Sequence, residues 1–158
     1  MKPTFQSRQE IIINAPLEKV WGFNQDLSKI AEYHPRVNKV GLVSGKQFRE
    51  PGVEYLCHLT DGKNTCTERD IEIVPMKKIV TALPEDTMGL SKLLTDYIVE
   101  TTFTKVGDKE TKMEFSHYYS TPTLAIKILN LIIRRKVGKE SQATLIAIKK
   151  AVEKECAL

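Results

Sequence analysis

Glycine, cysteine and long apolar runs are all scarce in this chain. Only eight glycines occur in 158 residues, and no Gly-x-Gly-x-x-Gly, P-loop or Gly-x-Ser-x-Gly pattern is among them. Nucleotide cofactors and nucleophile-elbow hydrolases are therefore not expected. The three cysteines, Cys57, Cys66 and Cys156, are odd in number and lack Cys-x-x-Cys spacing. That argues against a disulfide framework and against a zinc site. The three histidines lie far apart with no His-x-x-x-His, so no metal and no cofactor are expected. The longest apolar stretch, 126–133, is interrupted by Lys127 and Asn130 and is too short to span a bilayer, so no stable membrane insertion is expected. The first residues are polar and lack a signal-like apolar segment. With free thiols this points to a cytoplasmic location. No block of five like charges exists, and the net charge is only +4, which speaks against a nucleic-acid partner.

What is present is an ordinary globular composition, 41% hydrophobic and 28% charged, in a length that suits one domain spanning 1–158. Residues 6–13 end in Ile11-Ile12-Ile13 and predict a strand. Asn14 and Pro16 suit the start of a helix carrying Leu17, Val20 and Trp21 at helical spacing. Asp26 is placed to cap a second short helix that Pro35 ends. Strands are predicted over 37–43, 53–60, 65–74, 78–83, 94–106 and 111–121. Asp61-Gly62 and Gly107-Asp108 are hairpin turns, and 84–89 is a polar loop. From Pro122 onward Leu124, Ile128, Leu131 and Ile132 share a helical face. Leu145, Ile148 and Val152 resume the pattern after Gly138, where a kink or interruption is expected.

The order is strand, two short helices, six strands, long helix. It predicts an α+β helix-grip fold: a curved seven-stranded antiparallel sheet wrapped around the C-terminal helix. A twisted sheet around one helix leaves space at its ends, which is a geometric reason to expect a cavity. The run Ile11-Ile12-Ile13-Asn14-Ala15-Pro16-Leu17-Glu18-Lys19-Val20-Trp21 resembles the opening of the START-like (SRPBCC) polyketide cyclase/dehydrase and lipid-transport superfamily. There a strand enters Ala-Pro-x-x-x-Val-Trp, and a short helix ends in aromatic-x-Pro, here Tyr33-His34-Pro35. Residues 145–153 resemble its closing helix. A fainter similarity, to the abscisic-acid receptors, lies in Thr67-Glu68-Arg69, in Tyr97 with Thr101-Thr102, and in Ser116-His117 with Pro122. Their gating sequence is absent, so this likeness implies a pocket wall and not hormone sensing.

Alternation puts Tyr55, Cys57 and Leu59 on one side of their strand, and likewise Tyr97, Val99, Thr101 and Phe103, and Met113, Phe115, His117 and Tyr119 on theirs, each set expected to point inward. With Ile132 and Leu145 from the last helix, these are the expected wall of a small-ligand pocket. A solidly filled core is the alternative. His117 is the chief polar candidate, as a ligand contact or an acid/base group; a histidine satisfied by Tyr97 or a water is the other reading. Glu68 points inward by the resemblance and outward by strict alternation, and a bulge near Asp70 would reconcile the two. Cys57 and Cys66 read as packing groups, Trp21 as a brace for the first helix, His34 as an exposed helix-end group near the cavity mouth, and His58 as solvent-facing. The turns at 60–64 and 84–89 should flank one end of the cavity, as a lid or as plain connections. Three functions follow: binding or transport of a small hydrophobic or amphipathic molecule such as a lipid, quinone or polyketide-like aromatic; a cyclase or dehydratase using His117 and pocket tyrosines; or a protein- or membrane-interaction module using Arg134-Arg135-Lys136.

Overall fold

The computed structural model describes residues 3–158. The chain runs β1 (Phe5–Ile13), α1 (Leu17–Gln25), a 3-10 turn (Leu27–Lys29) leading into α2 (Ile30–Tyr33), β2 (Val37–Gly41), β3 (Glu54–Leu59), β4 (Thr65–Val74), β5 (Lys78–Asp86), α3 (Leu90–Leu93), β6 (Thr95–Gly107), β7 (Glu110–Ser120) and α4 (Leu124–Cys156). The strands form one antiparallel sheet in the order β1-β7-β6-β5-β4-β3-β2. This is the helix-grip arrangement expected from the element order.

The elements start and stop for local reasons. The Pro16 carbonyl accepts from the amides of Lys19 and Val20, so α1 starts without a side-chain cap. Asn14 is instead tied by its own amide to Glu153. Asp26 caps the 3-10 turn by accepting from the Ser28 amide at 3.0 Å. Strand β5 continues past Pro84 to Asp86, beyond the expected end, because a register shift opposite Thr67 and Arg69 accommodates the proline. Asp86 then accepts from the Met88, Leu90 and Ser91 amides and nucleates α3, a single turn that periodicity does not reveal.

Helix α4 is 33 residues long and unbroken, about 50 Å at 1.5 Å per residue. Thr123 caps it by accepting from the Ile126 amide. The expected interruption at Gly138 is absent. The missing side chain there lets Gln9 of β1 approach, its Nε2 only 3.0 Å from where a Cβ would stand. The inward stripe is Ile126, Asn130, Ile133, Val137, Ser141, Thr144, Leu145, Ile148 and Val152, every one buried or half-buried. The greasier stripe through Leu124, Ile128, Leu131 and Ile132 faces solvent.

The buried apolar side chains form three separate clusters. One joins Ile13, Val20, Phe23, Ile79, Phe103, Met113, Leu145, Ile148 and Val152, with Trp21 edge-on against Phe103 at 5.1 Å. A second gathers Leu27, Ile30, Val37, Val53, Tyr55, Cys57 and Leu59 under α2. A third holds Leu94, Tyr97, Tyr119 and Ile126. The sheet therefore meets α4 in the first and third clusters and α2 in the second, and a cavity lies among them. Among the described residues no helix is long and apolar enough to cross a membrane.

Candidate functional site

The cavity has a volume of about 310 Å³ and is lined by β3 to β7, α2 with the segment after it, and the middle of α4. Its wall includes Tyr55, Glu68, Tyr97, Val99, Thr101, Phe115 and His117, which the structure brings together. The other expected wall residues lie elsewhere. Cys57 and Leu59 are packed beneath α2 with Leu27, Ile30 and Val37. Tyr119 is fully buried in the third cluster, where its hydroxyl donates to Asn130 at 2.7 Å. Leu145 is likewise fully buried, in the first cluster. Ile132 is 65% exposed, because a helix turning about 100° per residue gives the inward position to Ile133.

Glu68 reaches the cavity by the bulge its placement needed. Between Asp70 and Glu72 strand β4 advances two residues while β5 advances one. Before that bulge Cys66, Glu68 and Asp70 face inward; after it Ile71 is 45% exposed and Ile73 packs on the core. A second bulge lies between Thr95 and Ile98, with Asp96 at φ 56, just where β6 begins its inward alternation of Tyr97, Val99 and Thr101.

Two polar clusters interrupt the apolar wall. The first centres on Arg49, in the connection before β3. Its guanidinium donates to the Asn24 carbonyl at 2.8 Å, to the Tyr55 hydroxyl at 2.9 Å and to Asp70 at 2.7 Å. The Tyr55 hydroxyl donates onward to Glu68 at 2.5 Å, and Thr81 donates to Asp70 at 3.0 Å. Asp70 is fully buried and its Oδ2 has no partner. Burial raises the carboxyls of both Glu68 and Asp70 above the usual range. Burial alone would lower the Arg49 guanidinium, but Tyr55, Asp70 and Glu68 around it hold it firmly charged. One cation thus faces two carboxyls. Asp70 touches it directly, whereas Glu68 meets it through Tyr55.

The second cluster is neutral. The Tyr97 hydroxyl lies 3.0 Å from His117 Nδ1, and the Ser141 hydroxyl lies 2.7 Å from Nε2. Burial with no carboxylate partner lowers His117 to about 4. One ring nitrogen donates and the other accepts, and both are engaged by protein groups. The reading in which Tyr97 satisfies this histidine therefore describes its geometry, with Ser141 as the second partner.

Several residues of the cavity wall and of the polar cluster behind it are not evident from the sequence. Arg49 and Asp70 are a loop cation and an acid whose facing depends on a bulge, and neither carries a local signal. Ser141 sits on the inward stripe of α4, and Tyr33 at the end of α2. Burial raises Tyr33 to about 12. His34, expected to be exposed, also lines the cavity and is only half-buried. Its Nδ1 accepts from the Arg36 amide at 3.1 Å, and burial followed by the Arg36 charge lowers it to about 4. Cys66 faces in as well, and burial pushes its thiol up to about 12, which makes it a poor nucleophile. Across the rim Arg36 pairs with Glu140 at 2.6 Å. Of the two turns expected to flank one end, 84–89 supplies Met88 to the wall; Asn64, in the other, accepts from Thr87 at 3.0 Å. Among the described residues no three His, Cys, Asp or Glu groups converge to hold a metal.

The structure is similar to that of Zhui aromatase/cyclase from Streptomyces sp. R1128, with a TM-score of 0.75 at 18% identity over 95% of this chain and 94% of that one. A START superfamily protein from Mycobacterium smegmatis gives 0.74 at 11% identity, covering 95% and 98% of the two chains. Norcoclaurine synthase from Thalictrum flavum, in complex with dopamine and hydroxybenzaldehyde, gives 0.74 at 17% identity, covering 94% and 86%. At such identities the likeness establishes the fold alone. No curated protein sequence matches the chain. The family described as polyketide cyclase / dehydrase and lipid transport matches residues 4–153. With nearly the whole length matched and the helix-grip fold in place, the chain belongs to the polyketide cyclase / dehydrase and lipid transport family.

Proposed function

We propose that the protein binds or carries a compact, mainly apolar molecule bearing one hydrogen-bonding group. The observation that carries this reading is the cavity itself: about 310 Å³, walled largely by apolar side chains, with its polar groups gathered into two clusters. Small-molecule sites run from about 300 to 1,000 Å³, so this one suits a small guest. A cavity of about 150 Å³ holds one benzene ring, so two fused rings or a short branched chain are the appropriate scale. The guest's polar group would meet Tyr55 and Glu68, where a half-buried acid and a half-buried cation offer both donor and acceptor.

Binding is favoured over turnover because His117 is neutral near pH 7 and both its ring nitrogens are engaged. The cyclase or dehydratase reading has one observation in its favour. Glu68 is a carboxyl of raised proton affinity beside an apolar wall, the condition under which a carboxyl acts as an acid near neutral pH.

Titration with 2-naphthol, a two-ring probe with one hydroxyl, followed by its fluorescence, tests the reading. Saturable one-to-one binding is expected. Val99→Trp, which fills the cavity, should abolish it, and Tyr55→Phe should weaken it by about fivefold to tenfold. Native mass spectrometry of gently purified protein should show a small molecule retained by the parent and lost from Val99→Trp. Absence of both saturable binding and a retained molecule would remove the reading. If a substrate is turned over, Glu68→Gln should lower kcat while KM stays near its parent value.

A further inference from the structure

The first half of α4 carries a surface that the cavity does not explain. Leu124, Ile128, Leu131 and Ile132 are 73%, 71%, 58% and 65% exposed and share one stripe. Arg135 and Lys139 continue that stripe, and Lys127 and Lys136 flank it. From Leu124 to Lys139 there are five basic residues and no acidic one, and the next acid, Glu140, is already paired with Arg36. The second half of α4 differs: its apolar stripe is buried, and its outward lysines alternate with Glu153 and Glu155.

We infer that this apolar, wholly cationic face docks on an anionic lipid surface, with α4 lying along the headgroup region. An exposed apolar patch of this kind marks an interaction site. The charges select among occupants: a second copy of this face would oppose cations to cations with no carboxylate between them, whereas anionic headgroups complement all of them. The patch also reaches the cavity rim. Ile126 and Ile133 anchor the helix to the cluster that contains Leu90, and the neighbouring Met88 and Leu93 are 43% and 47% exposed. Val137, one turn further along, lines the cavity. Docking by this face would therefore set the mouth close to the bilayer.

Co-sedimentation of the full chain with vesicles of phosphatidylcholine alone, or of phosphatidylcholine with phosphatidylglycerol, tests the inference. Binding to the anionic vesicles only is expected, and it should decline as salt is raised. Arg135→Glu with Lys136→Glu should weaken it by at least about 20-fold, because each cation near such a surface contributes about fivefold. Ile128→Glu with Ile132→Glu should abolish it while 2-naphthol binding and the thermal midpoint stay at parent values, which keeps this test separate from the cavity reading. Equal binding to both vesicle types, binding unchanged in the variants, or no binding overturns the inference. A dimer that Ile128→Glu with Ile132→Glu dissolves, without vesicle binding, overturns it in favour of a second copy on this face.

Discussion

The two polar clusters of the cavity wall handle burial in opposite ways. Around Arg49 the chain buries a cation and supplies two carboxyls, a phenol and a hydroxyl to surround it. Around His117 it buries a titratable ring and supplies only two hydroxyls, so the ring stays neutral. A guanidinium has no accessible neutral form, and its neighbours must carry the compensation. An imidazole can shed its proton, and hydroxyls on both nitrogens then suffice. The first cluster is therefore an electrostatic unit whose members depend on one another. The second is a hydrogen-bonded brace tying β6 and β7 to α4.

The largest effect should come from breaking the charged unit on its acidic side. Asp70→Ala strands the Arg49 charge in a buried setting and should cost about 3–5 kcal/mol in urea unfolding. Arg49→Ala should cost less, because Asp70 can take up a proton when its partner is gone. Ser141→Ala, in the neutral cluster, should cost only about 1 kcal/mol. Were Asp70→Ala no worse than Ser141→Ala, the contrast between the clusters would be void.

The next effect is a pH dependence with a definite sign. The folded protein holds His117 at about 4, below its ordinary value of 6.5, so between those values the unfolded chain binds a proton that the folded one does not. Stability contributed by His117 is complete above pH 6.5, falls with pH, and is gone near pH 4, a loss of about 3 kcal/mol. His34, lowered to about 4 as well, acts in the same direction. Glu68 and Asp70 act oppositely: their raised carboxyls protonate first in the folded state and add stability as pH falls. Subtracting the stability profile of His117→Gln from that of the parent isolates the ring. A difference curve that is flat from pH 6.5 to 4 would mean the ring is not held neutral, and the two clusters would no longer differ in kind.

Much of the sheet side of this site was legible in the sequence, because the evidence for it is local. Strict alternation placed Tyr97, Val99, Phe115 and His117, and the Ala15-Pro16 to Trp21 run announced the fold. Glu68 needed a bulge, and alternation shows only that one is required, not where the chain makes it. Arg49 and Asp70 meet across 21 residues through that same bulge, so nothing near either of them marks the pair. The helix misled for a different reason. The greasiest stripe of α4 is the natural choice for a core face, yet the inward stripe contains Asn130, Ser141 and Thr144 because it borders polar groups and a cavity. Hydrophobicity alone therefore points Ile132 to the core, whereas it faces solvent.

The smallest effect sharpens the contrast by adding a charged pair that is not buried. Arg36 and Glu140 meet at 2.6 Å across the cavity rim, with side chains 43% and 42% exposed. Solvent already stabilises both ions separately, so Arg36→Ala should lower stability by less than about 1 kcal/mol, far below Asp70→Ala. The pair nevertheless joins the segment after α2 to α4 over the opening. Its loss should show in exchange: stopped-flow dilution of bound 2-naphthol should release the probe up to about fivefold faster, with affinity falling in step. Raised salt should reproduce much of that acceleration in the parent and little in the variant. An unchanged release rate would mean that the guest leaves by another route and that the rim pair only decorates the surface.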